Sequence, residues 1–87
     1  VAGRLEVVHS SDFAAAGADL VLANILANVL IELAPRIGAL VAPHGQLVLS
    51  GILQPQAEEV IRAYAPQFDF QPPQTREDWV LLHARRR

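Results

Sequence analysis

The 87-residue sequence has no cysteine, no methionine and no lysine, and only 18% of its residues are charged. Without cysteine there is no disulfide framework, no thiolate nucleophile and no thiolate metal site, and the composition suits a cytoplasmic setting. Without lysine, all seven basic residues are arginine, and against nine acidic residues they leave a formal charge of −2. A chain of that balance offers no broad cationic surface to a phosphate backbone, so no nucleic-acid partner is expected. The one basic cluster, Arg85, Arg86 and Arg87, reads as a solvated tail. A long apolar run is also missing. The segment from Leu20 to Val41 is broken by Asn24, Asn28, Glu32, Pro35 and Arg36 well before the ~20 apolar residues that a membrane span needs. No basic stretch followed by an apolar one opens the chain, so neither a membrane nor a signal peptide is expected. The missing methionine carries one more expectation: translated chains normally begin with it, and this one begins VAGRLEV, as a fragment or a trimmed chain would. His9, His44 and His83 show no ligand spacing with carboxylates and no partner for a nucleophile, which argues against a metal site or a hydrolase triad.

What the sequence does have is an apolar majority, 52% of residues, the balance of a packed core. At this length it suits one small domain or part of a larger one. RLEVVHS, residues 4–10, reads as a strand followed by a loop. DLVLAN, residues 19–24, is apolar at consecutive positions, as in a central parallel strand covered on both faces. Leu26, Leu30, Leu33, Ile37 and Leu40 then form one helical stripe. Pro35 falls inside it and predicts a kink or two short helices. APHG, residues 42–45, reads as a turn into the buried strand QLVLSG. Pro55 suits the first turn of a helix whose apolar side is Ala57, Val60, Ile61 and Tyr64 and which Pro66 ends. Glu58 and Glu59 suit its solvated face. FDFQ and WVLLHA, joined by PPQTRED, read as a closing antiparallel hairpin, with Trp79 packed beneath it on the same strand face as Leu81 and His83.

The order β, β-α, β-α, β-β belongs to an open α/β sheet with an antiparallel ending. Ligands of such sheets bind outside the carboxyl ends of the parallel strands. Asn24 and the pair Ser50 and Gly51 stand at two such ends, bordering one crevice if the strands are neighbours. On the residues alone, Asn24 is also a good helix N-cap. Ser50 and Gly51 are also a good strand end, and Ser10, Ser11 and Asp12 a polar loop.

DLVLANIL followed by a helix, LVAPHGQLVLSGIL, a second helix and a terminal hairpin carrying REDWVLL resembles the carboxyl-terminal half of class I S-adenosylmethionine-dependent methyltransferases. Within them it is most similar to the PrmA-type enzymes that methylate large-subunit ribosomal protein eleven, over Arg4 to Arg86. The resemblance implies that residues 1–87 are part of a methyltransferase catalytic domain with a Rossmann-like sheet: strand 3, then strands 4 to 7 with the last antiparallel, the first two strands being absent. It implies S-adenosylmethionine as cofactor and a ribosomal protein as the partner of the full-length enzyme. Asn24 is then the catalytic residue, since in amino-methylating relatives an Asn, Asp or Ser opens a four-residue motif, commonly Asn-Pro-Pro-Tyr, and Asn24-Ile25-Leu26-Ala27 stands in its place. Ile25, Leu26, Ser50 and Gly51 fall on the substrate side. Asn24, Ser10 and Ser11 fall beside the cofactor, the two serines near its adenine. Ala27 in place of the aromatic fourth residue removes a platform for a flat group and points to an aliphatic amine, a lysine side chain or a terminal α-amine. The glycine-rich loop and the acidic residue that hold the cofactor in this superfamily are not in the sequence. In the family order 3-2-1-4-5-7-6 the first strand would stand apart and DLVLAN would have an open edge, a template for pairing with another chain. The isolated chain is therefore expected to dimerise or to rearrange its first strand, and to be inactive. The alternative is a non-catalytic α/β association module that keeps the methyltransferase outline.

Overall fold

A computed structural model of the chain describes residues 5–8 and 17–87. The strands are β1 (Leu5–Val8), β2 (Ala18–Asn24), β3 (Val41–Leu53), β4 (Phe68–Phe70), β5 (Gln74–Arg76) and β6 (Trp79–Arg86). Between β2 and β3 lie α1 (Ala27–Glu32) and α2 (Ala34–Leu40); a single 3-10 turn and α3 (Ala57–Tyr64) follow β3. All six strands join one sheet in the order β1-β2-β3-β6-β4, with β5 also paired to β6. β1, β2 and β3 run parallel, and β6 runs antiparallel to β3. The α/β sheet with an antiparallel ending is thus present. No helix among the described residues is long and apolar enough to cross a membrane.

Alternation along the strands divides the sheet into two faces. Val21, Ala23, Leu47, Leu49, Ile52, Val80, Leu82 and Ala84 are buried together with Ala27, Leu30, Ile37, Val60 and Tyr64 of the helices. The intervening Leu20, Leu22, Val48, Leu81 and His83 are only half-buried. The three helices therefore cover one face, and among the described residues nothing encloses the other, where Leu20 and Leu22 of β2 are half-buried; the unbroken apolar run suggests cover on both. Helices of six and seven residues are far below the length, roughly 12–15 residues, at which an isolated helix becomes even marginal. Packing holds them in place: fully buried Leu30 and Ile37 contribute on the order of 2 kcal/mol each.

The stripe breaks where Pro35 dictates. α1 stops at Glu32 and α2 restarts at Ala34 with the proline in its first turn, because Pro35 has no N–H to give to Ile31. Near the break, the buried Tyr64 hydroxyl donates a 2.7 Å hydrogen bond to the Leu30 carbonyl, tying α3 to α1. The Tyr64 ring meets Phe68 edge-on, at 6.1 Å between centroids and 68° between planes. On the outer side of α3, Glu58 and Glu59 are exposed. Glu58 pairs with Arg62 at 2.8 Å, an exposed contact of a few tenths of a kcal/mol.

The first strand takes the rearranged place expected of the isolated chain: β1 lies parallel beside β2, Leu5 opposite Leu20 through Val8 opposite Ala23, and covers that edge. Four expectations are corrected. Residues 42–45 are not a separate turn but a bulge within the long β3; Ala18 pairs with Val41 and Leu20 with Gln46, and His44 absorbs the bend at φ 65°. The loop PPQTRED contains β5, which pairs with the start of β6, whereas β4 pairs with its far end. Leu26 leaves the helical stripe, because it is the residue before α1 and 68% exposed. The terminal arginines are anchored. Arg86 continues β6 and donates to the Val41 carbonyl, and Arg87 pairs with Asp69 at 2.8 Å.

Tyr64→Phe is expected to lower stability by about 1–2 kcal/mol, leaving the buried Leu30 carbonyl short of its donor, and urea unfolding measures this. Burial raises the Tyr64 pKa, so above its ordinary value of about 10 the folded chain keeps a proton that the unfolded chain has lost. This contribution to stability is intact below about pH 10 and falls as pH rises beyond it. The phenylalanine variant should lose that alkaline slope; an unchanged slope would assign it to another group.

Candidate functional site

Parallel strands in register bring their carboxyl ends to the same level, and here Asn24, the last residue of β2, is opposite Ser50 of β3. The expected crevice is present, but Ser50 and Gly51 are not a strand end: they lie within β3, which runs on to Leu53. It is a groove of about 580 Å³ lined by Asn24, Ser50, Gly51, Trp79, Val80 and Leu81, together with Gln74, Thr75 and Arg76 of β5.

The floor of the groove is set by Gly51. Between Leu49 and Ile52 the pairing of β3 with β6 shifts, Leu49 facing Leu82 and Ile52 facing Val80, so β3 carries one residue more than β6. Gly51 takes that bulge at φ 80°, in the left-handed region that other residues avoid. A side chain there would also collide: a Cβ on Gly51 would lie 3.0 Å from Asn24 Oδ1 and 3.2 Å from the Ile25 carbonyl oxygen. A side-chain amide oxygen and a backbone carbonyl oxygen thus converge over the one residue that has nothing to put between them.

Asn24 is exposed and does not serve as a helix cap. The residue at the start of α1 is Leu26, with no side-chain bond into the helix. The Leu26 carbonyl is occupied by the N–H groups of Val29 and Leu30, at 3.0 and 2.9 Å. Ile25 is half-buried against the core, which fixes the carbonyl it presents at Gly51. Of the residues singled out in the sequence, Asn24, Ser50 and Gly51 share the groove, whereas Ile25 and Leu26 are not among its lining residues; the Ile25 carbonyl only approaches Gly51. Ser10 and Ser11 lie outside the described residues.

Trp79 corrects the reading of it as core. It is 52% exposed, lines the groove and stands opposite Leu53, itself 40% exposed. The alternation that buries Val80 and Leu82 puts Trp79 on the face of Leu81 and His83, as expected, but nothing among the described residues covers that face. Among the described residues, Arg76 is the one formally charged residue of the lining. Among the described residues, no group of three His, Asp or Glu side chains is placed to hold a metal ion.

A family model described as ribosomal protein L11 methyltransferase (PrmA) matches residues 1–87, the whole chain. The chain belongs to that family. A ribosomal protein L11 methyltransferase of Marinobacter nauticus is 56% identical over 70 residues, 80% of this chain and 24% of the relative. One of Pseudomonas aeruginosa is 48% identical over 84 residues, 97% of this chain and 29% of the relative. A crystal structure of a ribosomal protein L11 methylase from Lactobacillus delbrueckii subsp. bulgaricus superposes with a TM-score of 0.75 at 30% identity, covering 83% of this chain and 38% of that one. The chain therefore spans about a quarter of the length of the curated relatives it matches.

Gly51→Ala and Gly17→Ala separate the two demands on Gly51. Both glycines have positive φ, but a Cβ on Gly17 meets nothing within 4 Å. Gly17→Ala is expected to cost about 1 kcal/mol for the backbone alone. Gly51→Ala should cost more and shift the Asn24 side-chain amide resonances. Equal losses in thermal unfolding, with the Asn24 resonances unmoved, would mean that the two oxygens do not crowd Gly51.

Proposed function

We propose that this chain is the substrate-positioning part of a methyltransferase that moves methyl groups from S-adenosylmethionine to amines of a ribosomal protein, lysine side chains or a terminal α-amine. The observation that carries this reading is the approach of Asn24 Oδ1 and the Ile25 carbonyl to Gly51, which lines the groove together with Asn24. A neutral primary amine has two N–H bonds and one lone pair. Two fixed acceptors that take both N–H bonds leave the lone pair with a single direction, so their contribution is orientation. Asn24 accepts without adding a negative charge that would favour the ammonium form. Among the described residues the lining holds no carboxylate and one guanidinium, that of Arg76, a balance that works against the ammonium form and for the reactive free amine.

The substrate class follows from the aromatic group's position. Ala27 offers no platform within the motif, and Trp79 stands instead on β6, two strands from β2. An indole there can pack along an alkyl stem and attract a cationic product, which supports an aliphatic amine. The names of the relatives support a ribosomal protein as its bearer.

The cofactor, when bound, supplies an electrophilic methyl group. The described residues do not make a cradle for it. The groove holds acceptors for an amine but no glycine-rich loop and no carboxylate for a ribose, and GxGxG is absent from the sequence. We assign the cofactor's main contacts to the preceding part of a longer protein, with Asn24, Ser10 and Ser11 at its margin, and the 87-residue chain alone is inactive on this reading.

Two measurements test it. In a chain extended through the preceding coding sequence and assayed on ribosomal protein, Asn24→Ala should lower kcat by about 10- to 100-fold, the scale on which misplaced reactants lose rate, and change KM less. Methylation of nucleic-acid bases in place of protein amines would overturn the substrate class, and full activity of Asn24→Ala would overturn its role. Calorimetric titration of S-adenosylhomocysteine should show binding to the extended protein and none in the micromolar range to the 87-residue chain. Micromolar binding by the short chain would contradict the division of the site.

A further inference from the structure

The groove is not uniform along its length. Asn24 of β2 is level with Ser50 of β3, and beyond them β6 and β5 form the far wall, Leu81 opposite Gln74 and Trp79 opposite Arg76. β2, β3, β6 and β5 are successive neighbours in the sheet, so three strand spacings of ~4.8 Å, about 14 Å in all, separate the Asn24 end from the Arg76 end. One end thus offers neutral acceptors and the middle is apolar at Trp79 and Leu81. The other end carries the lining's one formal charge among the described residues.

Arg76 is held in place by its backbone while its guanidinium stays unengaged. It closes the β5–β6 hairpin opposite Trp79, and the Asp78 carbonyl in the turn accepts from the Gln54 N–H at 2.9 Å, which ties the hairpin to the end of β3. Arg76 is exposed and has no ion-pair partner among the described residues. The two acidic residues that follow it, Glu77 and Asp78, form the turn itself and do not pair with it. Arg62 and Arg87, by contrast, each have a carboxylate at 2.8 Å. A guanidinium presents five N–H donors in a fixed fork that matches a carboxylate.

Resting on the reading of the groove as an amine-methylating site, we infer that Arg76 is a specificity-determining residue. It takes a carboxylate of the substrate polypeptide, an Asp or Glu side chain close in sequence to the methylated amine. With its amine at Asn24, a lysine lays a four-carbon stem along the groove, covering somewhat less than half of the span and leaving its backbone over Trp79 and Leu81. The remainder is one or two residues of extended chain, at about 3.3 Å each, and an acidic side chain. The arrangement also sorts charge. A carboxylate that pairs with Arg76 is kept away from the amine, where it would favour the ammonium form, whereas a second cation at that end of the peptide meets like charge.

A double-mutant cycle on the extended protein provides the test. The amines it methylates on the ribosomal protein are mapped by mass spectrometry, and each Asp or Glu within about three residues of them, roughly 10 Å of extended chain, is replaced by Asn or Gln. Initial rates are then measured for every pairing of parent and Arg76→Gln enzyme with parent and altered substrate. One such substrate change and Arg76→Gln should each raise KM by about 3- to 5-fold, the scale of an exposed ion pair, with kcat nearly unchanged and no further loss when the two are combined. Arg76→Lys should recover part of the loss, and Arg62→Gln, which removes a charge outside the groove, should have no effect. An unchanged KM for Arg76→Gln, losses that add, or methylated amines with no acidic residue near them in sequence would each overturn the inference and leave Asn24 its role. A parent protein that methylates no protein amine would instead overturn the methyl-transfer reading, and the inference with it.

Discussion

Between Leu49 and Ile52, β3 has one residue more than its antiparallel partner β6, and that residue can be accommodated because Gly51 adopts φ 80°. Side chains alternate across a sheet, so an extra residue resets which face everything beyond it meets. With the bulge, Leu49 and Ile52 both reach the helix-covered core, and Val80 opposite Ile52 joins them. Without it, three steps from Leu49 would bring Ile52 to the open face beside Trp79 and turn the exposed Leu53 toward the core. The same glycine leaves room for Asn24 Oδ1 and the Ile25 carbonyl to approach from β2. Burial and site geometry at this end of the sheet therefore share one cause, which is why a substitution at Gly51 is felt in both.

Two oxygens held by different means make a better orienting pair than two flexible side chains. The Ile25 carbonyl is fixed by the main chain just after β2, whose register with β3 is continuous from Leu20 to Asn24, and by the half-buried Ile25 side chain. Asn24 has few rotatable bonds, and its oxygen abuts Gly51. On the proposed role, the Ile25 carbonyl is arranged on folding instead of during binding, while the exposed Asn24 side chain keeps freedom that binding would remove. An aspartate in place of Asn24 could accept the same N–H bonds, but its charge would hold the substrate as the ammonium, whose lone pair is already spent on a proton.

Much of this was legible in the sequence. Continuous apolar runs marked β2 and β3, Pro35 marked the division of α1 from α2, and the two strand ends marked Asn24, Ser50 and Gly51 as neighbours. What could not be read were facts about the open face. Trp79 alternates correctly with Val80, but alternation says which side a residue is on and not whether that side is covered. β5 was hidden because Gln74, Thr75 and Arg76 are all exposed, with no apolar face to give a period-two signal. Their strand conformation comes from pairing with β6 alone. The arginines at the end read as a charged tail because composition cannot show that β6 continues through Arg86 to reach the Val41 carbonyl.

The core that supports Asn24 and Gly51 lies wholly on the helix side of the sheet, among residues this chain supplies itself: Leu47, Leu49, Ile52, Val80 and Leu82 against Leu30, Ile37 and Val60. The open face, with Leu20, Leu22, Val48 and Leu81 half-buried, contributes less burial. The position of Asn24 and Gly51 is thus governed by the helix-side packing and by the β2–β3 register that sets Asn24 opposite Ser50.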